Sequence, residues 1–103
     1  MPQTPYNAQN SVLTTEGGQN SSLNITAATV VKAGPGRLVR ISVVVAGSAA
    51  GTANDCATTG AVAAANEIAA IPNSVGVIPL EWPCATGIVV APGTGQTLAV
   101  SYI

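Results

Sequence analysis

Residues 37–46 constrain the fold class more firmly than any other stretch of the chain. Val39, Ile41, Val43 and Val45 alternate there with Leu38, Arg40, Ser42 and Val44. Period-two alternation with one wholly β-branched face is the pattern of a half-buried strand. Shorter runs repeat it. In residues 22–31, Leu23, Ile25, Ala27, Thr29 and Val31 fall on one face. Residues 67–71 form another run, stopped by Pro72, and residues 75–80 another, with Pro79 marking an edge or bulge. Residues 88–90 and 97–103 complete the set, the last with Leu98, Val100 and Tyr102 inward.

Turn residues separate these runs. Gly34-Pro35-Gly36 predicts a hairpin between the first two, and Gly93-Thr94-Gly95 predicts a second before the last strand. Residues 47–66 read differently. Gly47, Gly51 and Gly60 punctuate them, and residues 61–65 are almost all Ala, which leaves room for one short helical turn. The expectation is an all-β, single-domain β-sandwich or jelly roll of about 7–8 short antiparallel strands over residues 22–103. Residues 1–21 read as a polar N-terminal arm, with Val12 and Leu13 its one adjacent apolar pair. Such an arm is either an unordered terminus or a segment that pairs with a neighbour's edge strand.

The core that such strands can build is made of small side chains. Phe is absent, and the aromatics are Tyr6, Trp82 and Tyr102. Charge is scarcer still. Lys32, Arg37 and Arg40 face Glu16, Asp55, Glu67 and Glu81, for a net charge of −1 and 7% charged residues. Typical domains carry about 25%. A surface with so little charge suits a chain that meets other protein over much of its area.

The same composition excludes several functions. Three cations and no aromatic series give nucleic acid nothing to bind. No apolar run approaches the ~18 residues that cross a bilayer, so no membrane association is expected. The first residues lack a basic and an apolar region, so no secretory signal is expected either. There is no His, which removes the commonest general base and metal ligand. Cys56 and Cys84 lack the spacing of a zinc site. Asp55 and Glu67 are the nearest thing to a carboxylate pair, and nothing in the sequence sets them on one surface. Gly93-Thr94-Gly95-Gln96-Thr97 lacks the Lys and helix of a phosphate loop. Neither a catalytic residue nor a cofactor or metal is expected.

Candidate interface residues remain. Tyr6, Val12 and Leu13 belong to the arm, and Pro35 to the first predicted turn. Arg37 and Arg40 are two of the three cations. Arg40 lies on the mixed face of its strand, either paired with Glu81, Glu67 or Asp55, or at an interface. Trp82 is either the main filler of the core or an interface anchor. Cys56 and Cys84 sit in similar Ala-Thr contexts, as a disulfide or as two small buried thiols.

The order of motifs also resembles a known class of proteins. Lys32-Ala33-Gly34-Pro35-Gly36-Arg37-Leu38 leads to Val43-Val44-Val45-Ala46-Gly47-Ser48, then Asp55-Cys56-Ala57 and Ile68-Ala69-Ala70-Ile71-Pro72. Trp82-Pro83-Cys84-Ala85-Thr86-Gly87-Ile88-Val89-Val90 and residues 93–102 close it. This resembles small virion proteins of tailed bacteriophages, most of all the head decoration (cement) proteins. The resemblance covers about residues 28–103. It implies a β-sandwich or jelly roll made in the bacterial host cytoplasm that binds the outside of the capsid. Its implied partners are the major capsid protein and itself, as a dimer or trimer. The alternative is a tail, spike or host-recognition module.

Overall fold

The computed structural model describes residues 19–103. Eight strands form two antiparallel sheets. They are β1 (Asn20–Ile25), β2 (Thr29–Lys32), β3 (Gly36–Val45), β4 (Gly51–Asn54), β5 (Glu67–Ile71), β6 (Gly76–Cys84), β7 (Ile88–Ala91) and β8 (Thr97–Tyr102). One sheet runs β1-β8-β3-β6 and the other β2-β7-β4-β5. The pairs β1·β8, β2·β7, β3·β6 and β4·β5 are nested. The chain is therefore a long ribbon, β1–β4 against β5–β8, rolled into two facing sheets, which is the pairing scheme of a jelly roll. The expected all-β sandwich is present, with eight strands.

Rolling the ribbon overturns two local expectations. Residues 22–31 are not one strand. The chain leaves β1 at Ile25 and enters β2 at Thr29, in the other sheet, with Thr29 Oγ1 donating to the Ala27 carbonyl at 2.8 Å across the corner. The Gly34-Pro35-Gly36 and Gly93-Thr94-Gly95 turns are not hairpins. Each carries the chain from the second sheet to the first, β2 to β3 and β7 to β8. A short turn fixes a reversal, and sheet membership is decided by distant partners.

The alternation also breaks where extra residues enter the ladders. Between Ser22 and Ile25, β1 spends three steps against two on β8, and Asn24 takes φ 55°. That left-handed conformation is one Asn tolerates better than most residues. The slip puts Leu23 outside at 70% exposure while Ile25 is buried. On β6 the extra residue lies between Pro79 and Trp82, with Glu81 at φ 54°. β2 and β5 carry similar register breaks. All four edge strands are thus bulged, where bulges are commonest. Pro79 and Pro83 are tolerated on β6 because it is an edge.

Residues 47–66 hold a strand that propensity does not announce. β4 is Gly-Thr-Ala-Asn and lies between β5 and β7. Small residues fit there: a Cβ at Gly51 would meet the Ala91 carbonyl oxygen and Gln96 Oε1, each at 2.7 Å. Two single 3-10 turns, Thr59–Ala61 and Ala64–Asn66, follow it.

The core gathers Leu38, Ile41 and Val43 from β3 and Leu98 and Val100 from β8. Ile71, Ile88, Val90 and Ala53 meet them from the opposite sheet. Two polar side chains are buried as well, Asn54 at the end of β4 and Gln96 at the loop end of the sandwich. Gln96 accepts the Gly93 N–H at 3.0 Å and donates Nε2 to the Pro72 carbonyl at 2.9 Å. Urea denaturation should separate these contributions. Leu38→Ala should cost about 2–5 kcal/mol, Gln96→Ala about 1–3 kcal/mol, and Leu23→Ala no more than about 0.5 kcal/mol.

Candidate functional site

Two surface regions and one half-buried cluster collect the side chains with any chemistry. Tyr6, Val12 and Leu13 lie outside the described residues.

The first region is the end of the sandwich where β3 starts and β6 finishes. Lys32, Pro35, Gly36, Arg37, Pro83 and Ile103 line a hollow of about 430 Å³. Lys32 Nζ donates to the Ile103 carbonyl oxygen at 3.1 Å. Arg37 stands 3.7 Å from Glu81 across the β3–β6 ladder, both half-exposed. An exposed pair of that length contributes little to stability. Trp82 pairs with Leu38 in register, so it borders this region. It is 45% exposed and is not the main filler of the core. Its strand is an edge, and the space between the sheets is occupied by Leu, Ile and Val.

The second region is the outer face of the β1-β8-β3-β6 sheet. Arg40 lies here, opposite Ser101 of β8 and Pro79 of β6. None of the expected carboxylates reaches it, since the ion pair found among the described residues joins Arg37 to Glu81. Ser42, the next outward residue on β3, pairs with Ala99 on one side and Val77 on the other. Ser21, Leu23, Arg40, Ser42, Val77 and Ala99 line one shallow depression of about 250 Å³. Val44 and Val75 extend the apolar surface at 53% and 70% exposure. Sequence reading named Arg40 and missed Leu23, Val44 and Val77. Each sits in an alternating run whose inward side is chosen by partners far away in sequence.

The third cluster, half-buried at Asp55, is structural. Asp55 follows β4 and accepts backbone N–H bonds from Ala85 at 3.0 Å, Thr86 at 2.8 Å and Gly87 at 3.2 Å. Its carboxylate thereby ties the β6–β7 loop to the end of β4. The bonds from Thr86 and Ala85 hold its pKa below the ordinary value near 3.8, against an opposing desolvation. The Asp55 backbone N–H also reaches the Asn66 carbonyl, which brings Glu67 near in the chain. The Asp55 oxygens are nevertheless engaged by loop N–H groups, which suits a loop clamp and not a proton-transfer dyad.

Cys56 and Cys84 flank this clamp as buried free thiols, with no disulfide. Cys56 Sγ lies 3.5 Å from the Thr58 carbonyl, and Cys84 Sγ 3.9 Å from that of Trp82. Burial pushes the Cys84 thiol up to about 11, helped by the negative charge of Asp55 and the neighbouring Cys56. Among the described residues no group of three His, Cys, Asp or Glu side chains is placed to hold a metal ion. No helix among them is long and apolar enough to cross a membrane.

Two measurements follow from the clamp. The folded pKa of Asp55 is depressed, so its contribution is present above the unfolded carboxylate pKa of about 4 and is lost as pH falls through the folded value. The acid limb of urea stability below about pH 4 should therefore be flatter in Asp55→Asn than in the wild type. At pH 8, Cys84 should alkylate with iodoacetamide at least about a hundredfold more slowly in the native protein than in urea.

No family model matches the chain, and neither curated proteins nor solved structures include a match to it.

Proposed function

We propose that the protein is a non-enzymatic structural component of a virion that decorates and cements the outside of a tailed-phage capsid by bridging neighbouring shell subunits. The observation that best supports this reading is the surface. Leu23, Val44, Val45, Val75, Val77 and Trp82 are exposed on a domain with only 7% charged residues. Leu23 and Val77 share one depression on the outer sheet face, and exposed apolar patches mark protein contact sites. The rigid sandwich beneath it offers two opposite outer faces, so one copy can touch two neighbours. Bridging makes the second contact effectively intramolecular, and many weak contacts then hold the shell against internal pressure. The motif resemblance favours the same role, with self-association as a symmetric dimer or trimer.

Imaging the native particle by electron cryomicroscopy tests the proposal. Density for this sandwich is expected in many copies on the outer shell, at junctions between capsid subunits. Density confined to the tail would favour the host-recognition alternative, and absence from the particle would overturn both.

A further inference from the structure

We propose that the outer face of the β1-β8-β3-β6 sheet is a docking surface for a protein partner that presents an apolar patch with one carboxylate opposite Arg40. The inference deepens the capsid-decoration reading, on which the identity of the partner rests.

The depression on this face is apolar in its make-up and singly charged, with the Arg37–Glu81 pair farther along the same two strands. Leu23 on the first strand, Ala99 on the second, Ser42 and Val44 on the third and Val77 on the fourth cross the whole width of the face. Leu23 is 70% and Val77 63% exposed. Among the residues that line the depression, Arg40 alone is charged. The other two cations are engaged, Lys32 with the Ile103 carbonyl and Arg37 with Glu81. Arg40 has no carboxylate partner among the described residues and sits on a central strand, not at the rim.

Charge complementarity then selects the occupant. Covering this face removes water from a guanidinium, and a buried unpaired charge is costly. An occupant that covers the apolar row must bring an acceptor for Arg40, and a carboxylate matches the guanidinium fork with two parallel bonds. A second copy joined depression to depression about a two-fold axis supplies none from the residues that line it. An isologous contact sets each patch on itself, so it would bring Arg40 towards Arg40 over a surface with no carboxylate among its lining residues. Nucleic acid needs many cations along its phosphates, and the lining of this depression has one.

The test uses phage shells prepared without this protein and the full purified chain. Wild type, Arg40→Glu, Val77→Lys and the control Ala65→Glu, in the exposed second 3-10 turn, are titrated onto the shells, with thermal melting of each variant as a fold check. All three substituted positions are exposed, so melting temperatures should agree within a few degrees. Shell binding is expected to weaken at least about thirtyfold for Arg40→Glu and to fall strongly for Val77→Lys, with Ala65→Glu within about twofold of wild type.

If wild type binds and Arg40→Glu and Val77→Lys bind equally well, the docking face is overturned while the decoration reading stands. If neither wild type nor a chain lacking residues 1–18 binds the shells, the decoration reading falls and takes this partner with it. Sedimentation of the free chain gives a further check. A dimer abolished by Val77→Lys would assign the face to a second copy. Shell binding that appears only after deletion of residues 1–18 would assign it to the chain's own N-terminal segment. Either result would overturn the proposal.

Discussion

Gln96 is buried where the loops that cross between the two sheets come together, and the closure of the sandwich depends on how its carboxamide is spent. The oxygen takes the Gly93 N–H and the nitrogen serves the Pro72 carbonyl, so the β7–β8 crossing is tied to the chain leaving β5. The backbones there are too close for side chains. A Cβ on Gly93 would strike the carbonyl oxygens of Ala49 and Ala50, and one on Gly47 would strike the Thr94 carbonyl. Ser48 N–H to the Thr94 carbonyl at 2.9 Å completes the contact. With backbone packed on backbone at this end, side chains no larger than Leu and Ile suffice to fill the space between the sheets. A domain without Phe needs that economy of space, since apolar burial scales with the area removed from water.

How much of this was legible in the sequence divides along the range of the forces involved. β3 and β8 were readable because alternation and β-branching are local. Leu98 and Val100 are buried as the pattern requires. β4 was not readable, because Gly-Thr-Ala-Asn is a strand only through its neighbours on both sides. The two misread hairpins have the same origin. Gly-Pro-Gly and Gly-Thr-Gly specify tight reversals, but nested pairing with strands far away in sequence decides which sheet receives the chain. Asn24 and Glu81 hide in their runs as ordinary polar residues, yet their positive φ values shift every side chain beyond them. That shift is why Leu23 is outside and Ile25 inside.

The candidate site was legible in its residue types and not in its geometry. Arg40 was recognisable as one of few cations on a mixed strand face. The apolar row around it required the order β1-β8-β3-β6, which joins residues from both ends of the chain. Trp82 was ambiguous for a related reason. A lone large aromatic in a core of small residues invites the role of filler, but an edge position leaves it half outside. The thiols and Asp55 gain meaning only together, since the carboxylate that caps the β6–β7 loop also helps to keep its neighbour Cys84 protonated.

The irregular edges bear on how such a protein survives being made in quantity. A strand at the border of a sheet offers unpaired backbone groups to any passing chain. Proteins with charged surfaces keep strangers apart by repulsion, a defence that a chain with three cations and four anions largely lacks. Here each border strand carries an added residue that spoils its ladder, and β6 withholds two N–H groups at Pro79 and Pro83. A crowd of identical copies therefore finds no continuous template along which to zip into fibres. Association is channelled instead to broad faces, where recognition depends on shape and on a single charge.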